Sequence, residues 1–484
     1  MASSDQSSLS ERLQLLQELG YPDRDPLYQA PGVHSNKRSR ELDSNRDIRF
    51  LDTIAVALTT GKPGDVFAAA LDKQECIKLV LAKNGPPTSE DIAAANELIS
   101  LIGSPTVTDA IDLFPFLLRR CCANINKRIR SLRESILDTK LLEDFQLAMQ
   151  AYVPMSDTQA EFPAGFILEI YRDEVPPNSF AEIWEDFVEK ITNVTEHELD
   201  AEDISFSTGT YADLFIYADA LARSRFLKNL VDNRNLMNFE RKERVEKLKR
   251  RLGKVCQYVS GITYLIQKAK RLFPISHCWV TDTFSGTGEG DFDLCNNAYD
   301  AVLRGLDEPS LSPDILDKLN KRFPFILSNW ARQQTVHTRV HAEIRIILHL
   351  GPLSPNDLSV HPIGVSKRSC FCCGVWIESH NRIFRTKWMT SGSRGKPYAN
   401  WALPGAACQY AIEADGRSSI DKAVSEAVGI RLADTLDWLF PGQRRISDGN
   451  VSRSDESSDY VSGWRLKALA RFRAARTRRS KGTA

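Results

Sequence analysis

A chain of 484 residues is too long for one ordinary hydrophobic core, so two or three domains are the natural expectation. Hydrophobic content of 42% supports a globular protein, and 63 basic against 63 acidic side chains exclude a global cationic field, so any contact with nucleic acid must come from a local patch. Ten cysteines, including the adjacent Cys121 and Cys122, form no regular disulfide framework, and no apolar run approaches the roughly 18 residues needed to span a bilayer. A reducing intracellular setting, cytoplasmic or nuclear, with no membrane partner, is expected.

Along the chain, residues 1–45 are polar and charged and predict a disordered tail; Met1 to Glu18 lacks the apolar core of a secretion signal. Residues 46–245 predict an irregular helical domain with no fixed repeat. Its stripes are Leu51, Ile54, Ala55 and Leu58, then Ile125, Ile129, Leu132 and Ile136, then Phe180, Ile183, Trp184, Phe187 and Ile191. Thr88-x-x-Asp91, after the Gly85-Pro86-Pro87 break, predicts a capping box. A long helix through Leu248, Leu252, Val255, Val259, Ile262 and Ile266 then leads into a second domain over residues 246–410.

In that second domain Ile275 to Val280 has strand character, and Gly286-x-Gly288-x-Gly290 reads as a turn, because no Lys-Ser/Thr pair follows to make it a phosphate loop. Thr338-Arg339-Val340 is short and extended, and Ile344, Ile347, Leu348 and Leu350 predict a helix entered at His341 and Glu343. Pro362 to Ser366 predicts a buried strand that hands over to a helix starting near Cys370. Cys370 and Cys373 lie about 60° apart on that helix, so both thiolates can reach one ion, while Cys372 lies about 200° from Cys370 and points away. With His341 they make three zinc ligands and leave a fourth tetrahedral position open, and Glu343 is a proton carrier beside them. The positive end of the helix favours the thiolate.

The H-A-E segment, Ile363-Gly364-Val365-Ser366-Lys367, Cys370-x-x-Cys373 and Lys396-Pro397-Tyr398-Ala399-Asn400-Trp401-Ala402-Leu403-Pro404 together resemble the fungal-expanded predicted deaminases. That group is related to bacterial toxin deaminases within the cytidine-deaminase-like superfamily. The resemblance, over roughly residues 250 to 410, implies an α/β fold, a mixed sheet flanked by helices, here preceded by the mostly helical domain. It also implies a zinc ion, and hydrolytic removal of an amino group from an amidine-like carbon of a nucleobase, with release of ammonia. Carried over residue by residue, His341, Cys370 and Cys373 match the metal ligands and Glu343 the proton shuttle. Many superfamily members have Pro just before the first Cys; this chain has Ser369.

Trp388, Tyr398 and Trp401 offer faces for base stacking, although two of the three are expected to pack the sheet instead. The substrate base is expected in a nucleoside, a nucleotide or a single-stranded nucleic acid. Two bland alternatives stand beside the enzyme: a closed structural zinc site using Cys370, Cys373, His380 and a further ligand, and a catalytically inactive deaminase-like module whose helical half binds a protein partner. Residues 411–441 predict a C-terminal helix, and 442–484 a polar then basic disordered tail suited to nucleic acid or to nuclear import.

Overall fold

A computed structural model of the chain describes residues 2–20, 38–74, 76–155, 157–163, 180–196, 204–232, 239–272, 274–306, 310–351, 359–393, 395–408, 412–413 and 418–440. The basic tail and its expected nucleic-acid contact lie outside these residues. The fold is mixed α/β, a five-stranded mixed sheet flanked by helices. In chain order its principal elements are α1 (Ala2–Glu18), α2 (Arg38–Ala57), β1 (Phe67–Asp72), β2 (Lys78–Lys83), α3 (Ser89–Gly103), α4 (Phe114–Ile136), α5 (Phe180–Glu196), α6 (Ile204–Arg223), α7 (Phe239–Val255) and α8 (Ile262–Leu272). There follow β3 (Ser276–Trp279), β4 (Gly290–Asp293), α9 (Ala298–Leu306), β5 (Thr335–Thr338), α10 (Ala342–Leu350), β6 (His361–Val365), α11 (Phe371–Phe384), β7 (Trp388–Met389) and α12 (Ser419–Leu439).

The sheet order is β3-β2-β1-β6-β7, with β1 antiparallel to both β2 and β6 and the outer pairs β2–β3 and β6–β7 parallel. Strand side chains alternate between faces, and this divides β1 and β2 between two cores. Phe67, Ala69, Leu79 and Leu81 join α2 and the helices α3 to α8 on one face; Ala68, Ala70, Val80 and Ala82 join α1 and α9 to α12 on the other. Small residues let α2 come close: Gly364 of β6 lies so near the Leu51–Asp52 peptide that a Cβ there would collide with it.

Two expectations are corrected. The segment 1–45 is not a featureless tail over its described part: Leu9, Leu13 and Leu16 are buried along one side of α1, Leu19 is buried just past its end, and α2 already begins at Arg38. Leucines at helical spacing, each worth about 1.5–3 kcal/mol when buried, outweigh the serines and charges between them. The boundary at 245 also fails, because β1 and β2, within the supposed helical domain, are the middle of the sheet. Short apolar runs buried on both faces carry no period of two, so nothing in the pattern separates them from helix. The long helix through Leu248 and Ile266 is interrupted by a wider π turn over Gln257–Gly261, where Gly261 packs on Thr53 of α2.

Candidate active site

His341 is the N-cap of α10 and Cys370 the N-cap of α11, both with extended backbone (φ −72°, ψ 152° and φ −77°, ψ 178°). Two helix N-termini therefore face each other, and the positive ends of both favour anionic sulfur between them. Cys370 Sγ lies 3.6 Å and Cys373 Sγ 3.4 Å from His341 Nδ1, and the Cys373 backbone N–H donates to Cys370 Sγ at 3.3 Å. The three ligand atoms lie within 4.8 Å of one another and all three residues are buried. Among the described residues this is the one such group of histidine, cysteine or carboxylate side chains.

Electrostatics within the group follow from these contacts. Burial raises the Cys370 thiol, but the hydrogen bond from Cys373 and the charge of His341 outweigh it and bring it down to about 6. Burial opposes the charge on His341, and the Cys370 thiolate and Glu343 overcome it and raise the imidazole. Cys373 and Cys372 are pushed well up by burial and by the neighbouring Cys370 charge. Cys372 is fully buried and stands outside the group, as its place on the helix requires.

Glu343, in the first turn of α10, is 2% exposed, and its Oε2 is buried with no hydrogen-bond partner among the described residues. A lone carboxylate oxygen costs roughly 1–3 kcal/mol or more when it is left unsatisfied. With two thiols and an imidazole beside it, that orphan oxygen is what a zinc ion and a water would complete, so the residues present fit the metal. His380 does not join them. Burial lowers its imidazole to about 4, it shares a hydrogen bond with Thr386 Oγ1 at 3.1 Å, and it stacks on Trp376 with ring centroids 5.2 Å apart.

The aromatic residues divide as two and one. Trp388 and Trp401 are buried, whereas Tyr398 is 40% exposed with its ring centroid 6.5 Å from that of His341. Trp401 does more than fill space, because its Nε1–H donates to Cys373 Sγ at 3.2 Å. Such outer hydrogen bonds orient a thiolate and moderate its donor strength. Gln6 of α1 holds the same strand of chain from behind, its Nε2 donating to the Trp401 carbonyl at 2.9 Å and its Oε1 accepting from Leu403 N–H at 2.8 Å. Asn84, just past β2, accepts the Ala342 N–H on its Oδ1 at 2.8 Å and so fixes the entrance to α10. Neither amide carries a signal that sequence reading could have used.

Ser369 donates its backbone N–H to the Gly392 carbonyl at 3.2 Å, a bond that Pro at this position would forfeit. Residues 340–405, which hold all three candidate ligands, Glu343, Tyr398 and Trp401, match the family model described as "OTT_1508_deam:-like deaminase". No curated protein and no solved structure matches the chain.

Proposed function

Because residues 340–405 match a deaminase family of the cytidine-deaminase-like type, we propose that the protein is a zinc-dependent hydrolytic deaminase of a nucleobase carried on a nucleoside, a nucleotide or a single-stranded nucleic acid. The observation that carries this reading is Glu343, a buried carboxylate with an unpartnered oxygen beside a His-Cys-Cys group. His341, Cys370 and Cys373 would hold the zinc, which when bound supplies the Lewis acidity that makes water nucleophilic at neutral pH.

The chain's own part is proton traffic and positioning. In the overall change the water oxygen bonds to the amidine carbon and the exocyclic C–N bond breaks. One water proton ends on the ring nitrogen, and the other leaves with the amine as ammonia. Glu343 takes and delivers these protons, a task for which a carboxylate held within reach of the reacting atoms is suited. Tyr398 offers a partly exposed ring at the mouth on which a base can stack. Trp401 and Cys373 N–H hold the two sulfurs in place, and Asn84 holds the helix that presents His341 and Glu343.

None of the ten cysteines is in a disulfide, and no helix among the described residues is long and apolar enough to cross a membrane. A reducing compartment would keep Cys370 and Cys373 out of disulfides and available to a metal. Ammonia release from nucleosides, 5′-nucleotides and single-stranded DNA and RNA, measured on zinc-loaded protein, tests the function. Release that disappears in Glu343→Gln supports it. No release from any of them, with zinc bound, replaces the enzyme with the zinc-stabilised interaction module.

A further inference from the structure

Three stretches of sequence carry or adjoin the His-Cys-Cys group, residues 335–341, 366–370 and 390–405, and none of them contains an aspartate or glutamate. In a chain with 63 acidic side chains balancing 63 basic ones, that local imbalance stands out. The same stretches contribute Arg339, Lys367, Arg368 and Lys396. Each is tied to the His-Cys-Cys group by the backbone or by its field. Arg339 stands two residues before His341, donates its backbone N–H to the Asn400 carbonyl at 2.9 Å, and is held beside Gly85 by an Nη1 hydrogen bond to the Asn84 carbonyl at 3.3 Å. Lys367 is within electrostatic reach of His341, and its Nζ donates to the Asp65 carbonyl at 3.3 Å. Arg368 is exposed two residues before Cys370, and the Lys396 carbonyl accepts the Phe371 N–H at 2.9 Å.

Acids on the neighbouring elements are engaged, two of them with the first stretch itself: Asp291 lies 2.7 Å from His337 Nδ1, and Asp293 accepts the Thr335 hydroxyl at 2.8 Å. Asp65 pairs with Lys83 at 3.0 Å and binds Thr60. Glu289 accepts the Val340 N–H at 2.8 Å and faces Arg345 at 3.4 Å. Asp52 accepts the Val365 N–H at 2.7 Å and lies within the field of Arg368, and burial pushes its carboxyl up to about 7. A run of bases along one exposed helix is usually just solvated surface. Here the bases come from three separate stretches, each joined to the His-Cys-Cys group by sequence neighbourhood, by a backbone bond or by its field.

We propose that this rim binds phosphate, so that the base enters the site on a phosphate-bearing substrate, a nucleotide or a single-stranded nucleic acid, in preference to a free nucleoside. A guanidinium matches phosphate oxygens with paired donors, and a local cationic field concentrates an anion at the mouth; a neutral nucleoside gains from neither. The identity of the base rests on the deaminase reading above, whereas the phosphate preference does not.

Isothermal titration of the zinc-loaded full chain with 5′-CMP, 5′-AMP, cytidine, adenosine and a mixed-sequence single-stranded 12-mer tests it. The monophosphates should bind at least about tenfold more tightly than their nucleosides, the gain of roughly one charge-assisted contact. In Lys367→Ala/Arg368→Ala protein that preference should fall about tenfold, with zinc content at the wild-type level. Should the double variant lose zinc, the wild type still decides, because the preference must shrink between about 50 and about 200 mM salt. Tighter binding of the 12-mer than of either monophosphate assigns the phosphate to a polymer; equal binding assigns it to a nucleotide. Nucleosides that bind as well as monophosphates, or a preference that salt and the double variant both leave untouched, overturn the proposal. Phosphate preference without ammonia release sinks only the deaminase reading, and ammonia release without phosphate preference sinks only this one.

Discussion

Glu343 allows chemistry to be separated from folding with a single atom. Glu343→Gln keeps the shape and removes the proton carrier, so we expect stoichiometric zinc by elemental analysis and a loss of ammonia release by about 10²–10⁴-fold. The ligands divide just as sharply. Cys370→Ser/Cys373→Ser should lose the zinc, and Cys372→Ser, whose sulfur stands outside the group, should keep it in the same assay. Gln6→Ala should lower stability by roughly 1–3 kcal/mol in denaturant titration, since it strips the buried Leu403 N–H and Trp401 carbonyl of their partner. The meeting of His341, Cys370 and Cys373 was legible because few residue types bind metal and each sits where the pattern changes from extended chain to helix. Gln6, Asn84 and the indole bond of Trp401 were not. An amide's worth at Gln6 depends on a backbone near residue 400, and nothing local marks it.

Among the elements, the start of α3 shows a local signal that tertiary structure extends. The Thr88–Asp91 capping box is present, and Asp91 also pairs with Lys83 at 2.8 Å and with Arg120. Burial raises the Asp91 carboxyl, but its bonds to Lys83, Thr88 and Arg120 win and hold it at about 2. Its folded value lies below the unfolded one of about 3.9, so its contribution is complete above pH ~4 and is lost as pH falls toward 2. Asp91→Asn should cost roughly 1–3 kcal/mol at pH 7 by removing the carboxylate that Lys83 and Arg120 share, Lys83 keeping Asp65 and Arg120 the Leu58 carbonyl, and should flatten the acid limb of a stability–pH curve. Asp421 behaves oppositely. It joins α12 to the site, accepting the Gly405 N–H at 2.6 Å and the Trp376 indole N–H at 3.3 Å, and burial lifts its carboxyl to about 7. Its contribution is therefore full below about pH 4 and declines as pH rises through 7. Asp421→Asn should remove part of that neutral-range decline in thermal melts taken from pH 5 to 8. The helix of residues 371–384 and the strand of 361–365 were readable from their patterns. The strands of 67–83 were not, because burial on two faces erases the alternation that marks a strand.

For the molecule as a whole, two cores on opposite faces of one sheet mean that neither half is a removable domain. A fragment comprising residues 246–441 would lack β1 and β2, and we expect no cooperative thermal transition from it. Gly364→Ala should cost at least about 2–3 kcal/mol in the full chain, because the added methyl meets backbone that cannot move without shifting α2. The pairing of Ala69 with Gly364 also sets a schedule. During synthesis the strand over Phe67–Asp72 emerges with β2 on one side and an unpaired edge on the other, and its second neighbour is not made until His361–Val365 leaves the ribosome. At roughly 5–20 residues per second that interval is on the order of 15–60 s, long enough for an open apolar edge to meet another chain. Nascent protein stalled anywhere between the two strands should therefore need a chaperone to stay monomeric, and the His-Cys-Cys group can assemble only after that wait is over.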